Sequence, residues 1–472
     1  MSALMVQGTS SGAGKSLLAT ALCRHFARRG VRVAPFKAQN MSNNARVVAG
    51  GEIGTAQYLQ ALAAGVEPDV RMNPVLVKPE ADTRSQVIVR GVADAELSRR
   101  PWLERTESLW PVAAESLRSL LADYELVVLE GAGSPAEINL AGSDMTNLRS
   151  AQLAGAAVLV AADIDRGGAF AHLYGTWALL EPAQRERIGA FLLNKFRGDP
   201  ELLADGPERL RELTGVPVAG VVPWVRHGLP DEDGVSQPPA GAHRGRPQVA
   251  VVAYPTASNL DELRPLEQVA ELRFCRLPAE LGDAELIVLP GSKHVAADLR
   301  WLRERGFERS LRALLDEGSR LLGICGGMQM LGEELCDPAG VDGSERSLGL
   351  LPIETSFAAE KLVGRERIGF AADLGGSWRD LAGIEFEGYE IRHGRSRATG
   401  PAAEAIPGER GWASGAVLGI AVHGLFESSE AVAALLGSAP PRSLEAAIDE
   451  LTDAVVAALD LERIERLAGV AG

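Results

Sequence analysis

Short apolar runs alternate with stretches of helical periodicity along nearly the whole 472-residue chain, and few architectures accept that alternation. It is the pattern of βαβ units, in which each strand of a parallel sheet is followed by a helix packed on its face. The strand candidates of the first half are Leu4–Gln7, Val31–Phe36, Leu126–Leu129, Ala157–Ala161, Ala190–Leu193 and Val218–Val222. Those of the second half are Val249–Ala253, Leu286–Leu289 and Leu321–Ile324, with less regular signals from Leu350 to Val422. Between the halves, residues 231–247 read D-E-D-G-V-S-Q-P-P-A-G-A-H-R-G-R-P and carry no periodicity, which predicts a linker. The tail, Leu444–Leu467, places apolar residues at helical spacing and predicts one terminal helix. The expected division is a domain over 1–230, the linker, a second α/β domain over 248–440 and a helical tail over 441–472.

Charge narrows the class of function. A net charge of −15 disfavours sequence-independent binding to nucleic acid or anionic lipid, so an anionic ligand must be caught by local devices. The four cysteines, Cys23, Cys275, Cys325 and Cys336, lack metal-site spacing and suggest no disulfide framework, which fits a reducing cytoplasm. A strand candidate starting at Ala3 leaves no room for a signal peptide. The longest apolar stretch, about Ala154 to Ala162, is too short to span a bilayer.

Two turns carry chemistry. Gly8 to Ser16, G-T-S-S-G-A-G-K-S, follows a strand and opens a helix, as a phosphate-binding loop does. Its backbone N–H groups, among them those of Thr9, Gly12 and Gly14, can cradle phosphates. Lys15 would reach the outer phosphates and Ser16 would ligate magnesium. The loop holds five residues between its first Gly and G-K-S, one more than usual, and so resembles that of the dethiobiotin synthetase superfamily, whose members activate carboxylates with ATP. Lys37, Glu130, Asp163 and Asn194 each end an apolar run, where a parallel sheet presents its carboxyl edge. Lys37 offers a second cation to phosphate, Glu130 a metal ligand and Asn194 a hydrogen bond to an adenine edge. Asp163 is a candidate for substrate contact, and Glu52 a further candidate metal ligand.

The second turn is Leu321 to Leu331, L-L-G-I-C-G-G-M-Q-M-L, an apolar strand, a cysteine at a sharp turn, two glycines and a helix start. The glycines are expected to permit the turn and leave the Cys325 sulfur exposed, and the helix end favours thiolate. A thiol nucleophile needs a proton shuttle and an oxyanion hole. His423, in A-V-H-G-L-F, supplies the first, and backbone N–H groups near Gly291 and Gly326 the second. Cys23, Cys275 and Cys336 read as buried small hydrophobes.

This second constellation resembles a class I (triad-type) glutamine amidotransferase domain, which implies a flavodoxin-like α/β fold. Most such domains carry H-x-E, but position 425 is Leu, and Glu427 lies beyond that spacing. The expectation is a Cys–His dyad whose imidazole is set by a backbone carbonyl. The whole chain resembles the cobyric acid synthase family through G-T-S-S-G-A-G-K-S, F-K-A-Q-N-M-S-N-N, E-G-A-G-S-P-A-E-I-N-L, D-I-D-R-G-G, the Cys elbow, G-Y-E-I-R-H-G-R-S and H-G-L-F. The resemblance implies amidation of the b, d, e and g carboxylates of adenosylcobyrinic acid a,c-diamide, with L-glutamine and ATP-magnesium as co-substrates. The related cobyrinic acid a,c-diamide synthase is the alternative. A P-loop partitioning ATPase is more remote, because it would leave the elbow cysteine unexplained and the tail is acidic, with Glu445, Asp449, Glu450 and Asp453.

Overall fold

In the computed structural model, residues 2–81, 84–229 and 245–470 are described. Residues 231–244 of the expected linker lie outside them. The chain divides into two units, one of Met1–Ser42, Val48–Leu229 and Ser443–Gly472, the other of Asn43–Val47 and Pro230–Arg442. The tail therefore belongs to the first unit, and a five-residue stretch of the first half belongs to the second.

The first unit is built on a six-stranded parallel sheet. Its order across the sheet is Val218–Pro223, Ile188–Phe196, Ala157–Asp163, Ser2–Gly8, Leu126–Glu130 and Val33–Phe36. These strands are apolar throughout because helices cover both faces. Leu4, Val6, Val128 and Leu159 pack on one side with Leu18, Leu22 and Phe26 of helix Lys15–Arg28. Met5, Val127, Leu129 and Val160 pack on the other with Leu117 and Leu120 of helix Trp102–Asp123 and Leu173 of helix Ala169–Leu179. Parallel register brings the strand ends level: Asp163 lies beside Asn194, Phe36 beside Leu129, and Glu130 beside Val6. The carboxyl edge of this sheet thus gathers the first turn of the sequence with four of the charged or polar strand ends.

The tail forms two helices rather than the one expected, Leu444–Val456 and Leu461–Leu467. The break falls before Asp460, whose carboxylate caps the second helix by accepting from Arg463 N at 3.1 Å. Ile448, Leu451 and Val455 are buried in the core beside Leu18 and Leu22. The acidic residues have a structural role. Asp449 accepts from Arg24 Nε at 2.7 Å, Asp453 from Arg28 Nη1 at 2.6 Å, and Glu445 pairs with Arg24.

The second unit has a seven-stranded sheet ordered Glu271–Cys275, Gln248–Val252, Leu286–Leu289, Arg320–Ile324, Val417–Ile420, Gly411–Ser414 and Ala403–Ile406. The first five strands are parallel, and the last two are joined on by antiparallel pairings. The irregular signals after Leu350 resolve into a long antiparallel ribbon, Ile353–Gly369 against Glu385–Ala398, with a register shift between Phe357 and Leu362. No helix among the described residues is long and apolar enough to cross a membrane.

Candidate active site

The phosphate-binding turn leaves strand Ser2–Gly8 and feeds helix Lys15–Arg28, with Gly12 and Gly14 at φ 74° and 92°, where a side chain would be strained. Lys15 Nζ is held back over the turn, donating to the carbonyls of Ser10 (3.0 Å) and Gly133 (3.2 Å). Thr9 N donates to Ala161 O at 2.9 Å, and its hydroxyl is buried without a hydrogen-bond partner. Asn194 is committed to the turn itself, since its Nδ2 donates to Ala13 O at 2.8 Å and fills the space a Cβ on Gly14 would need. Asp163 accepts from Lys195 Nζ at 3.0 Å, and the same ammonium donates to Gly12 O at 2.6 Å. Asp163 and Asn194 therefore brace the turn from the next strands over.

Glu130 is the centre of this cluster. Its Oε1 accepts from Ser16 Oγ (2.8 Å) and Lys37 Nζ (2.9 Å), and its Oε2 from Gln60 Nε2 (2.5 Å) and Gln57 Nε2 (3.3 Å). A fully buried carboxylate persists only when paired and hydrogen-bonded to this degree. Gln57 and Gln60 stand three apart on helix Thr55–Ala64, on one face, within the stretch Gly51–Ala61 that the sequence offers for substrate contact; their tie to Glu130 was not legible, because a helical Gln reads as a surface residue. The predicted ligand Glu52 is placed differently, in a buried ion pair with Lys78. Among the described residues no three His, Cys, Asp or Glu side chains converge as a metal cage. A magnesium ion carried in with phosphates needs none, and one hydroxyl with one carboxylate is a fitting donor set.

At the second site Cys325 ends strand Arg320–Ile324 and precedes the short helix Gly326–Leu331. The left-handed backbone is at the cysteine itself, with φ 51° and ψ −106°, a strained geometry typical of a nucleophile turn. The glycines serve a purpose other than the expected one. Neither Gly326 nor Gly327 has a positive φ, but a Cβ on Gly327 would lie 2.0 Å from Leu289 O and one on Gly326 2.7 Å from Ser292 N. They let the helix press against the 289–292 turn. The thiol is also buried rather than exposed.

That close approach assembles the site. Gly326 lies against Ser292, and a Cβ on Gly291 would come 3.1 Å from Cε1 of His423, so both predicted oxyanion glycines border the thiol–imidazole pair. Burial pushes the Cys325 thiol up, but the hydrogen bond and positive charge of His423, Arg392 and the Gly326 N–H outweigh it and bring it below the ordinary range. Burial pushes His423 down, and the carboxylate of Glu262 and the sulfur of Cys325 reverse that, so the imidazolium is favoured. The other thiols move the opposite way: burial raises Cys23, and raises Cys275 to about 11. Cys336, expected to be buried, is half-buried.

Glu262 replaces the expected backbone carbonyl. His423 Nδ1 donates to Glu262 Oε1 at 2.8 Å, and Gly424 N donates to Oε2 at 3.0 Å, so both oxygens are held. The acid comes from the 3-10 segment Leu260–Gln268, on the far side of the sequence from His423. It was missed because two acids at the start of a helical stretch read as ordinary first-turn residues. The thiol interacts with the imidazole and the imidazole with the carboxylate, the order of nucleophile, proton shuttle and orienting acid.

Residues 4–228 match the model of the CobQ/CobB/MinD/ParA nucleotide binding domain, and residues 248–431 that of the CobB/CobQ-like glutamine amidotransferase domain. The chain is 54% identical to the cobyric acid synthase of Polaromonas sp. (strain JS666), over 95% of each chain. It is 56% identical to that of Paracidovorax citrulli, over 96% of each, and 51% identical to that of Acidovorax sp. (strain JS42), over 98% of this chain and 97% of the relative. With a nucleotide-binding half, an amidotransferase half and full-length relatives of one kind, the chain belongs to the cobyric acid synthase family.

Proposed function

We propose that this enzyme converts the b, d, e and g carboxylates of adenosylcobyrinic acid a,c-diamide to amides, taking nitrogen from glutamine and driving force from ATP. The observation that carries the reading is the Cys325–His423–Glu262 series in a chain that also holds a phosphate-binding loop. A thiol glutaminase and a nucleotide site together suit a synthetase that must make its own ammonia.

The chemistry follows from the groups present. The Cys325 thiolate attacks the side-chain amide carbon of glutamine, and the oxyanion that develops is held by backbone N–H groups at Gly291 and Gly326. His423, held by Glu262, gives a proton to the departing nitrogen, so ammonia leaves and a thioester remains. Water, deprotonated by the same imidazole, then releases glutamate and restores the thiol. In the other half a carboxylate of the acceptor takes the terminal phosphoryl group of ATP, giving an acyl phosphate and ADP. That phosphorylation turns a poor electrophile into one with a good leaving group; ammonia then adds to the acyl carbon, phosphate departs and the nitrogen loses a proton, which leaves the amide. Lys15 and Lys37 balance phosphate charge and Thr9, Gly12 and Gly14 line the turn. Ser16 and Glu130 would hold magnesium, which supplies charge neutralisation on the phosphates. Asn194 and Asp163 keep the turn in shape, and Glu52 is left to its pair with Lys78.

Mass spectrometry of the corrinoid product, after incubation with ATP and glutamine, tests the acceptor. Four carboxylate-to-amide conversions on the a,c-diamide are expected. Amidation of cobyrinic acid itself, with none on its diamide, would instead identify the a,c-diamide synthase activity.

A further inference from the structure

The stretch Asn43–Val47 comes from the nucleotide-binding half of the sequence yet belongs to the second unit, and it carries one buried arginine. Arg46 Nη2 pairs with Asp261 Oδ2 at 2.8 Å and with Glu427 Oε1 at 3.0 Å, and its Nη1 donates to the hydroxyl of Tyr389. The backbone carbonyl of the preceding Ala45 accepts from Asn259 Nδ2 at 2.9 Å, and the same amide nitrogen donates to the Tyr389 hydroxyl at 3.0 Å. Every one of these partners adjoins the thiol site. Asp261 precedes Glu262, the acid that orients His423. Glu427 follows His423 by four residues. The Tyr389 ring stacks on the His423 ring with centroids 5.3 Å apart and planes 20° apart, and the two residues exchange backbone hydrogen bonds of 2.9 and 3.2 Å.

Two physical consequences follow. Asp261 and Glu262 are buried and Glu427 lies beside them at the surface, and the Arg46 guanidinium, paired with Asp261 and Glu427, offsets the negative charge gathered there. The planar fork of Arg46 also reaches Tyr389 and the acids at once, which fixes the plate against which the imidazole rests. We infer that Arg46 is a positioning residue of the glutaminase: it holds Tyr389 and the Glu262 segment in register so that His423 faces Cys325. Lys37, nine residues earlier, and Gln57, eleven later, both bond Glu130, so the stretch that supplies Arg46 is bounded in sequence by residues of the phosphate cluster. The thiol site is therefore completed by a residue from the half of the sequence that binds nucleotide.

This inference rests on the reading of Cys325 as the glutamine-hydrolysing nucleophile, and the test separates the two. Steady-state glutaminase and ammonia-dependent amidation are measured on the full-length enzyme and its Arg46→Gln, Arg46→Lys and Cys325→Ala variants. For Arg46→Gln the expected result is a fall in glutaminase kcat of about 10²-fold, with KM for glutamine and ammonia-dependent amidation within about twofold. Arg46→Lys, which keeps the charge and loses the fork, is expected to recover part of the loss. The inference is overturned by an Arg46→Gln kcat that stays within about twofold, or by equal losses with glutamine and ammonia, which would mark a merely structural role. It is also overturned if Arg46→Lys is as impaired as Arg46→Gln. A Cys325→Ala variant that still hydrolyses glutamine would overturn the parent reading instead.

Discussion

The His423 ring lies between the Glu262 carboxylate and the Cys325 sulfur, and that placement makes the pH behaviour of the glutaminase a property of three residues. The Cys325 thiol is lowered and His423 raised, and both shifts act in favour of a thiolate beside an imidazolium. Activity should fall on the acid side as the thiolate takes a proton and on the alkaline side as His423 loses one. Glu262→Gln removes the charge that raises His423, so the alkaline limb of the glutaminase pH profile should move to lower pH. Its kcat should fall by about 10²- to 10⁴-fold, as when an orienting acid is neutralised in other triads. An unchanged alkaline limb would show that Glu262 does not set the imidazole. The same electrostatics predict that iodoacetamide at neutral pH alkylates Cys325 before Cys23, Cys275 or Cys336, whose thiols are all raised, as peptide mass mapping would report. Cys325, His423 and Glu130 were legible because each sits at the end of an apolar strand run, and Lys15 and Ser16 because a glycine-rich turn between a strand and a helix carries them. Glu262 and Arg46 were not, because each acts across a large sequence separation and neither stands in a local pattern.

Elements were legible in proportion to how fully they are buried. Central parallel strands such as Leu286–Leu289 are apolar on both faces and announce themselves as continuous runs. The ribbon strands Ile353–Gly369 and Glu385–Ala398 alternate between buried and exposed positions and shift register once, so their signal was irregular. The tail was misread as one helix because apolar spacing continues through Leu459, although Asp460 carried the capping signal for a second start. That tail is held by its apolar face more than by its ion pairs, which are largely exposed. Leu451→Ala should accordingly lower stability by about 2–5 kcal/mol in urea unfolding, whereas Asp453→Ala should change it by less than about 1 kcal/mol. The elbow helix depends on a different constraint. Gly327→Ala brings a methyl against Leu289 O and should sharply reduce glutaminase activity by pushing Cys325 away from the 289–292 turn.

At the scale of the whole molecule, one chain combines a nucleotide-binding domain and a glutamine amidotransferase domain. Its relatives match along nearly their full length, so both halves belong to one enzyme rather than to a chance fusion. The division of labour is tested by changing the nitrogen source. Cys325→Ala and Lys15→Ala variants are assayed for amidation with glutamine and, separately, with ammonium salts at a pH that supplies free ammonia. Cys325→Ala is expected to lose glutamine-dependent amidation and keep the ammonia-dependent reaction, while Lys15→Ala loses amidation from both sources and retains glutamine hydrolysis. Loss of both reactions in Cys325→Ala, or full ammonia-dependent amidation in Lys15→Ala, would contradict that division.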